Sequence, residues 1–488
     1  MRFLWRRHPV VTIPLTPTPA PAPAPSKGVP VAILTAMVVG TMVGAGVFSL
    51  PSSFGSSTGV YGALIAWAIA GTGMLALAFV FQRLAVARPD LDSGIFAYAR
   101  AGFGDYVGFF SAFGYWASAC VANVAYWVLV TSTVGGIVPA LGDGDTLWAL
   151  GVGTAGIWAF HFVIARGVRD ATFVNGVVTV AKVVPLVAFA VLVIAGGFSW
   201  DTFTDNLHGD LTLGALSAQV RATMLVTVFA FIGIEGASVY SRWARRREDV
   251  GRATVTGFVG VLTLFVLVTM LSYGVLPRAE LAELRQPSMA GVLEASVGSW
   301  GAWFVGIGLL VSVLGAYMSW ALLAVESLYV TARDGDAPRA LARMSSRDVP
   351  LNALIATSAV TQAFLVVVYF SENAFGFALE LTSALVLLPY LLTAGFGLRL
   401  ALRGKRFAGA ISAASIGVTY SLYLVYAAGW KYALLAMIVY APASLLYVRS
   451  RREAGLRVFT AKELALCVAT TVGAVAGVAA LLTGAITI

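Results

Sequence analysis

The chain has 488 residues, of which 59% are hydrophobic and 11% charged, and its mean hydropathy is +0.86. A soluble globular domain carries roughly 25% charged residues, so this composition excludes an ordinary soluble protein. The net charge of +9 comes from cations scattered through short polar segments, which argues against a nucleic-acid-binding domain.

The first thirty residues are predicted to be a segment separate from the rest of the chain. They combine Arg2, Arg6 and Arg7 with a Thr/Pro/Ala run over 14–25. Such a run cannot pack a core, so residues 1–30 are expected to form a disordered, Pro-rich cytoplasmic tail. The apolar run before it is too short for a signal peptide, and no cleavage is expected.

From Val31 onward, apolar stretches recur with short polar gaps, each near the roughly 20 residues that a helix needs to cross a bilayer. Ten-residue alternating strands are missing from the pattern, which excludes an outer-membrane barrel. The sequence therefore predicts an all-α polytopic membrane protein with about thirteen spans. These are 31–56, 60–86, 95–138, 146–165, 171–197, 217–241, 251–276, 300–332, 351–370, 374–399, 407–428, 431–448 and 463–485.

The distribution of Lys and Arg predicts the orientation of these spans, because cytoplasmic loops hold the excess of positive charge. With the N-terminus inside, nearly all cations fall in cytoplasmic segments. The exceptions are Lys182, Arg221, Arg278, Arg285 and Lys431. This alternation predicts a multi-pass protein of the cytoplasmic membrane, with the N-terminus in the cytoplasm and the C-terminus outside.

The first span contains GTMVGAGVFSLP, from Gly40 to Pro51, where three glycines and a proline interrupt an apolar helix. Glycine costs about 1 kcal/mol relative to alanine in a helix, so the cluster needs a reason. One interpretation is close helix packing through the GxxxG pair Gly40 and Gly44. The other is a discontinuous helix whose exposed amides bind an anionic substrate group at mid-membrane depth.

The sixth span repeats the feature, because FAFIGIEGASV places Gly233 and Gly236 beside Glu235. Two interrupted helices five spans apart are typical of a five-plus-five inverted repeat around a shared site, which favours the second interpretation. The predicted organisation is a first repeat over 31–200, a second over 217–400 and additional C-terminal helices over 407–488.

Two ionisable residues lie at membrane depth, where a charge costs at least about 2.5 kcal/mol and needs a partner, a cavity or a proton. Glu235 is expected to point inward, into the site or into a hydrogen-bonded helix contact. Lys182, near the middle of the fifth span, fits three roles: a substitute for a coupling cation, a proton carrier, or an ammonium held by carbonyls of an unwound segment.

Glu326 and Glu380 lie nearer the ends of their spans. Glu326 is expected to meet water at the inner end, whereas Glu380 either lines the outer vestibule or serves a cationic substrate. The three histidines, His8, His161 and His208, are far apart in the sequence, and a Walker lysine motif is missing. We therefore predict no catalytic residue, metal site or cofactor, and no enzyme activity.

Five sequence segments resemble the amino acid/polyamine/organocation superfamily, and within it the basic amino acid antiporters of the arginine/agmatine and arginine/ornithine kind. They are GAGVFSLP, then SGIFAYARAGFGDYVGFFSAFGYW with Asn123 following, FAFIGIEGASV, the segment from Trp320 through TARDGDAP, and LLPYLLTAG. The resemblance runs from about Val31 to the tenth or eleventh span and implies the LeuT-like version of the inverted repeat.

The resemblance also implies the site residues. The substrate carboxylate would meet the amides of Ala45 and Gly46, and the α-amino group the carbonyls of Met42, Phe229 and Ile232. Ser118, Ala119, Asn123 and Thr382 would form the side-chain pocket, with Trp320 as a middle gate and Tyr115, Glu235 and Tyr390 as the cytoplasmic gate. Ala45 stands where relatives have a hydroxyl residue and Phe229 where agmatine exchangers have tryptophan, and the thirteenth span resembles the arginine/ornithine branch.

We therefore expect a secondary active transporter that exchanges cationic amino acids across the cytoplasmic membrane. A proton-coupled amino acid symporter is the alternative, and Lys182 would be central to it. A membrane-embedded enzyme or scaffold would give no flux, and a channel would give uptake that does not saturate. The expected partners are cationic amino acids and the bilayer, without nucleic acid, and a homodimer is compatible with the sequence.

Overall fold

A computed structural model describes residues 30–88, 90–91, 95–167, 171–207, 212–235, 247–404 and 410–488. Within these ranges the regular elements are all helices, which confirms the predicted all-α class. In hydrocarbon the backbone must satisfy its own hydrogen bonds, and a helix does so within one segment. The predicted tail over 1–29, His8, His208 and Gly236 lie outside the described residues.

We number the α-helices in chain order. They are α1 Val31–Met42, α2 Leu50–Ser57, α3 Val60–Ala87, α4 Ile95–Phe103, α5 Asp105–Gly135, α6 Leu147–Ala165, α7 Ala171–Leu192, α8 Trp200–Asp205, α9 Leu213–Phe231, α10 Arg247–Tyr273, α11 Arg278–Glu283, α12 Ser288–Val297, α13 Ser299–Arg333, α14 Leu351–Tyr369, α15 Ala374–Arg403, α16 Ile411–Glu453 and α17 Ala461–Leu482.

In the described ranges, ten helices are long and apolar enough to cross a membrane. An eleventh span is formed by α1 together with the stretch Ala45–Ser57, which is bent from it by 54°. The prediction of a polytopic membrane protein is thus confirmed. Single exposed tryptophans, Trp148, Trp200, Trp300, Trp303 and Trp430, lie at or near helix ends, where amphipathic rings meet a membrane–water interface.

One predicted boundary is wrong and another coincides with a break in the helix, and both lie at glycines with positive φ. The run 95–138 is two helices, because Gly104 at φ 100° turns the chain from the short α4 into α5. The predicted spans 407–428 and 431–448 correspond to the two halves of α16, which meet at Gly429, whose φ of 69° and ψ of 179° interrupt the helix. Glycine has no Cβ, so it adopts these angles without the steric cost other residues meet.

Helix α5 forms the centre of the bundle, because 89% of its apolar 18-residue stretch is buried inside the protein. It packs against α13 and α15, which therefore line the same interior. Helix α17, by contrast, has only 11% of its apolar 18-residue stretch buried, and it packs on the second half of α16. The interior around α5 is therefore the place for a functional site, whereas the C-terminal helix α17 lies at the edge of the bundle.

Candidate substrate site

The first helix is broken where its glycines cluster. Helix α1 ends at Met42, Val43 and Gly44 are extended, and a 3-10 turn over Ala45–Ser49 leads into α2. A continuous helix would pair the carbonyls of residues 40–42 with the amides four residues later, and the break removes those partners. The break therefore leaves the last carbonyls of α1 without helical partners, and likewise the first amides of the 3-10 turn, those of Ala45 and Gly46. Both sets of groups lie at the same level of the bundle.

A second break lies on α9. The helix ends at Phe231, Ile232 turns out of it, and Gly233 has a φ of 108°. The amide of Gly233 donates to Glu235 Oε2 at 3.2 Å, whereas a continuous helix would direct it to the carbonyl of Phe229. The carbonyl of Phe229 thereby loses its helical donor.

The two breaks touch each other. A Cβ placed on Gly233 would lie 2.3 Å from the carbonyl oxygen of Thr41, and one placed on Gly46 would lie 2.8 Å from the Phe229 ring. Only glycine permits this approach of two backbones. The 3-10 turn also contacts α5 and α13, so the free peptide groups face the centre of the bundle.

Glu235 connects the second break to two other helices. Its Oε1 accepts a hydrogen bond of 2.8 Å from Tyr115 on α5, and its Oε2 accepts one of 2.7 Å from Tyr390 on α15. The carboxyl is buried, and Tyr390 is inaccessible to solvent. Three predicted gating residues that are far apart in the sequence are thus brought together.

Lys182 is buried beside the first break, and its Nζ donates to the carbonyl of Gly40 at 3.1 Å. This carbonyl is one that the break deprives of its helical partner. Of the three predicted roles, the contact directly matches an ammonium held by the unwound segment. It also places the side-chain nitrogen of Lys182 next to the free carbonyls of α1.

The predicted side-chain pocket is buried between α5, α13 and α15. Ser118 Oγ donates to the carbonyl of Tyr115 at 2.8 Å, and Thr382 Oγ1 to that of Ala378 at 2.7 Å. Asn123 is 1% exposed, and its Oδ1 has no hydrogen-bond partner among the described residues. A buried acceptor left unpaired costs about 1–3 kcal/mol, so Asn123 is suited to bind a donor that enters the pocket.

The aromatic members, Phe229 and Trp320, are buried but retain 7% and 8% exposure. The remaining predicted residues, Met42, Ala45, Ala119 and Ile232, are buried as well.

A cavity of about 380 Å³ lies at the end of α2 and the start of α15. It reaches Val226, one helical turn from Phe229, and it is rich in carboxylates. Those that line it are Asp143, Asp145, Glu283, Glu372 and Glu380. Arg285 also lines the cavity and pairs with Asp143 at 2.7 Å. Glu380 thus lines this cavity, which we call the vestibule, and its role toward a cationic substrate stays a prediction. Glu326 is exposed and lines a different cavity with Arg166 and Arg347, as expected for a residue that meets water.

Residues 33–481 match the amino acid permease family. The chain belongs to that family. The permease is 45% identical over 478 residues to an arginine/ornithine antiporter of Pseudomonas aeruginosa, an alignment that covers 95% of this chain and 99% of the relative. It is 42% identical to an L-lysine transport protein of Corynebacterium glutamicum, with 95% and 97% covered. It is 37% identical to an arginine/agmatine antiporter of Chlamydia abortus, with 90% and 93% covered. The resemblance stated from the motifs is thus confirmed.

Sequence reasoning missed Asn206, a residue that ties together the chain beyond α2 and the turn after α10 in this permease. Its side-chain amide donates to the carbonyls of Tyr273 and Leu276, and its Oδ1 accepts from the amide of Arg278. Tyr273 in turn donates to the carbonyl of Thr58, just beyond α2. An asparagine after a short helix carries no local signal for this role, because its partners are about 70 residues away.

Proposed function

We propose that this permease exchanges cationic amino acids of the arginine/ornithine type across the cytoplasmic membrane by alternating access. The observation that carries the proposal is the contact between the two helix breaks, where Gly233 lies against the carbonyl of Thr41. Free amides and free carbonyls then lie side by side, and a zwitterionic head group needs both.

In the proposed bound state, the amides of Ala45 and Gly46 receive the substrate carboxylate. The carbonyls of Met42, Phe229 and Ile232 receive the α-amino group. These are backbone contacts, so they accept any α-amino acid, and selectivity must come from side chains elsewhere. Ser118, Ala119, Asn123 and Thr382 form the side-chain pocket in this proposal, with Trp320 beneath the substrate.

The charge of the vestibule supports a cationic substrate. Its carboxylates outnumber its cations, and a cleft lined by one sign of charge raises the local concentration of the opposite sign. The names of the similar proteins, which include antiporters of arginine, ornithine and agmatine and a lysine transporter, point to the same substrate class. Phe229 stands where agmatine exchangers have tryptophan, and this difference weakens a cation–π contact with a guanidinium. It shifts the proposal from agmatine toward ornithine.

The proposed architecture is a LeuT-like five-plus-five inverted repeat with thirteen spans. Helix α7 with its continuation to Gly197, and the two halves of α16 around Gly429, supply the spans beyond the eleven found by length and composition. The N-terminus is placed in the cytoplasm and the C-terminus outside, as the cation distribution predicts. The homodimer remains a prediction.

The proposed cycle opens the cytoplasmic side by separating Tyr115, Glu235 and Tyr390 after the vestibule has closed. Requiring an occupied site for the return step makes the transporter an exchanger. Lys182 holds the end of α1 in both directions, and its side-chain nitrogen takes the place of a coupling cation.

The test uses purified protein in liposomes preloaded with ornithine. Uptake of labelled arginine is expected to require internal ornithine and to saturate with external arginine. Uptake that ignored internal ornithine and followed a pH gradient would instead establish the proton-coupled symporter. Absence of any flux, with protein that remains monodisperse, would reject transport itself.

A further inference from the structure

The short helix α4 lies at the end of the bundle that carries the inner gate. Its residues Ile95, Tyr98 and Ala99 are buried. Tyr98 stacks on Phe396 of α15 with ring centroids 6.3 Å apart, and Arg399 of the same helix donates to the carbonyl of Gly102. Helix α4 therefore lies against the half of α15 that follows Tyr390.

One contact places α4 directly next to the gate. Thr393 is fully buried, and its hydroxyl lies 3.5 Å from the carbonyl of Ile95. It stands one helical turn beyond Tyr390, whose hydroxyl donates to Glu235. A path from the cytoplasm to the Glu235 gate along this face of α15 is covered by α4.

Four charged residues hold α4 in this position. Arg100 of α4 pairs with Asp105 at the start of α5 and with Asp336 in the turn after α13, both at 3.0 Å. Asp105 also pairs with Arg451 of α16 at 3.1 Å. We call this chain, Arg451–Asp105–Arg100–Asp336, the cytoplasmic latch. It joins the neighbouring helices α4 and α5 to the turn after α13 and to α16, which are far from them in the sequence.

Asp336 is the member of the latch least able to reach water, because its side chain is 10% exposed. Its Oδ2 faces Arg100, whereas its Oδ1 is buried without a hydrogen-bond partner among the described residues. The charged groups that face it are Arg100 from α4, Asp105 from α5, Asp334 from its own turn, and Arg451 from α16, with Tyr447 of α16 also near. Burial raises the pKa of Asp336 to about 7, although Arg100 and Arg451 act in the opposite direction.

We propose that α4 is a second, outer layer of the cytoplasmic gate, and that protonation of Asp336 releases it by removing one of the two carboxylates that hold Arg100. This inference rests on the proposed transport function. At cytoplasmic pH above neutrality Asp336 is ionised and the latch is closed. As the pH falls through about 7, the Asp336 carboxyl becomes neutral, and Asp105 is then the only one of the two carboxylates that still pairs with Arg100. Helix α4 therefore moves away from α15 more often.

The test measures access to the face that α4 covers. Thr393→Cys is introduced after replacing Cys120 and Cys467 by Ser, and the purified protein in nanodiscs is treated with a bulky maleimide between pH 6 and 8. Labelling is divided by that of Met344→Cys, an exposed cytoplasmic-loop position, to remove the intrinsic pH dependence of the thiol. We expect the ratio to rise roughly fivefold as the pH falls, the lower end of couplings between linked sites.

Two variants and one control decide the assignment. Asp336→Asn is expected to give the high ratio at every pH, and Arg100→Gln to do the same. Asp90→Asn, which neutralises an exposed ion pair with Arg88 on the same connection, is expected to keep the parent profile. An Asp336→Asn protein with the parent ratio and pH profile would overturn the latch. Arginine–ornithine exchange by the parent is measured in parallel, and its absence would count against the transport proposal alone.

Discussion

At the residue scale, Glu235 joins the backbone break to the side-chain gate. Both of its oxygens are used, one for Tyr115 and one for Tyr390 and the amide of Gly233. The carboxyl also frees the Phe229 carbonyl by capturing the Gly233 amide. In the proposed function, substrate binding and gate closure therefore share one residue.

Glu235→Gln is expected to slow turnover by about tenfold or more, because its amide nitrogen cannot accept a hydrogen bond and a buried donor left without an acceptor costs roughly 1–3 kcal/mol. Arginine affinity should change much less, since the substrate contacts are backbone groups. Exchange rate and equilibrium binding are measured on the same preparation. Equal losses in both would contradict a role in gating.

Asn123→Ala is expected to lower the preference for cationic over neutral amino acids by roughly tenfold, since it removes a buried acceptor that has no partner within the described residues. Counterflow with a panel of labelled amino acids measures the preference. Ser111→Ala is the matched control, because Ser111 lies on the same helix with a buried, equally unpaired oxygen. A similar change in both variants would assign the effect to packing of α5.

At the element scale, the two broken helices act as one unit. Each break alone would leave free peptide groups in an apolar surrounding, which costs several kcal/mol per group. Bringing the breaks together places groups of opposite polarity around one volume, where a zwitterion satisfies both sets. The structure tolerates the breaks because α5, α13 and the 3-10 turn exclude lipid from them.

Gly233→Ala is expected to reduce exchange by about tenfold or more. A residue with a Cβ at φ 108° is strained by roughly 1–2 kcal/mol, and the added methyl would overlap the carbonyl of Thr41. Gly260→Ala on α10 is the control, because a Cβ there meets open space. Exchange and thermal stability are measured for both. An active Gly233→Ala protein would refute the close contact of the breaks.

At the scale of the whole molecule, the charge distribution separates the two faces. Carboxylates line the vestibule, whereas the opposite end of α5 carries the latch. Between them the predicted gate and substrate-pocket residues are buried. In the proposed cycle, such an arrangement moves a charged amino acid without opening a continuous aqueous path.

Exchange of arginine for ornithine is expected to be insensitive to membrane potential, because one singly charged amino acid replaces another. Exchange of arginine for the divalent agmatine, where it occurs at all, should respond to the potential. Liposomes clamped with potassium gradients and valinomycin measure both. A strong voltage dependence of the arginine–ornithine exchange would contradict a one-for-one stoichiometry.

Local signals in the sequence determined the membrane class, the two broken helices and the inward position of Glu235. Apolar length, clustered glycines and a carboxylate in an apolar run each carry a cost that lipid imposes on that segment by itself, so they are legible without the fold. The positions of Tyr115 and Tyr390 in the gate came from the resemblance to the family rather than from any local pattern.

Only the tertiary structure decided which distant groups meet. Lys182 finds the carbonyl of Gly40, Asp336 finds Arg100, and Gly233 finds Thr41, each across more than 140 residues of chain. The separation of α4 from α5 was likewise decided by the structure, at Gly104 with its φ of 100°. Such contacts depend on how helices cross in three dimensions, and a residue pays the cost of a missing partner only after the chain has folded around it.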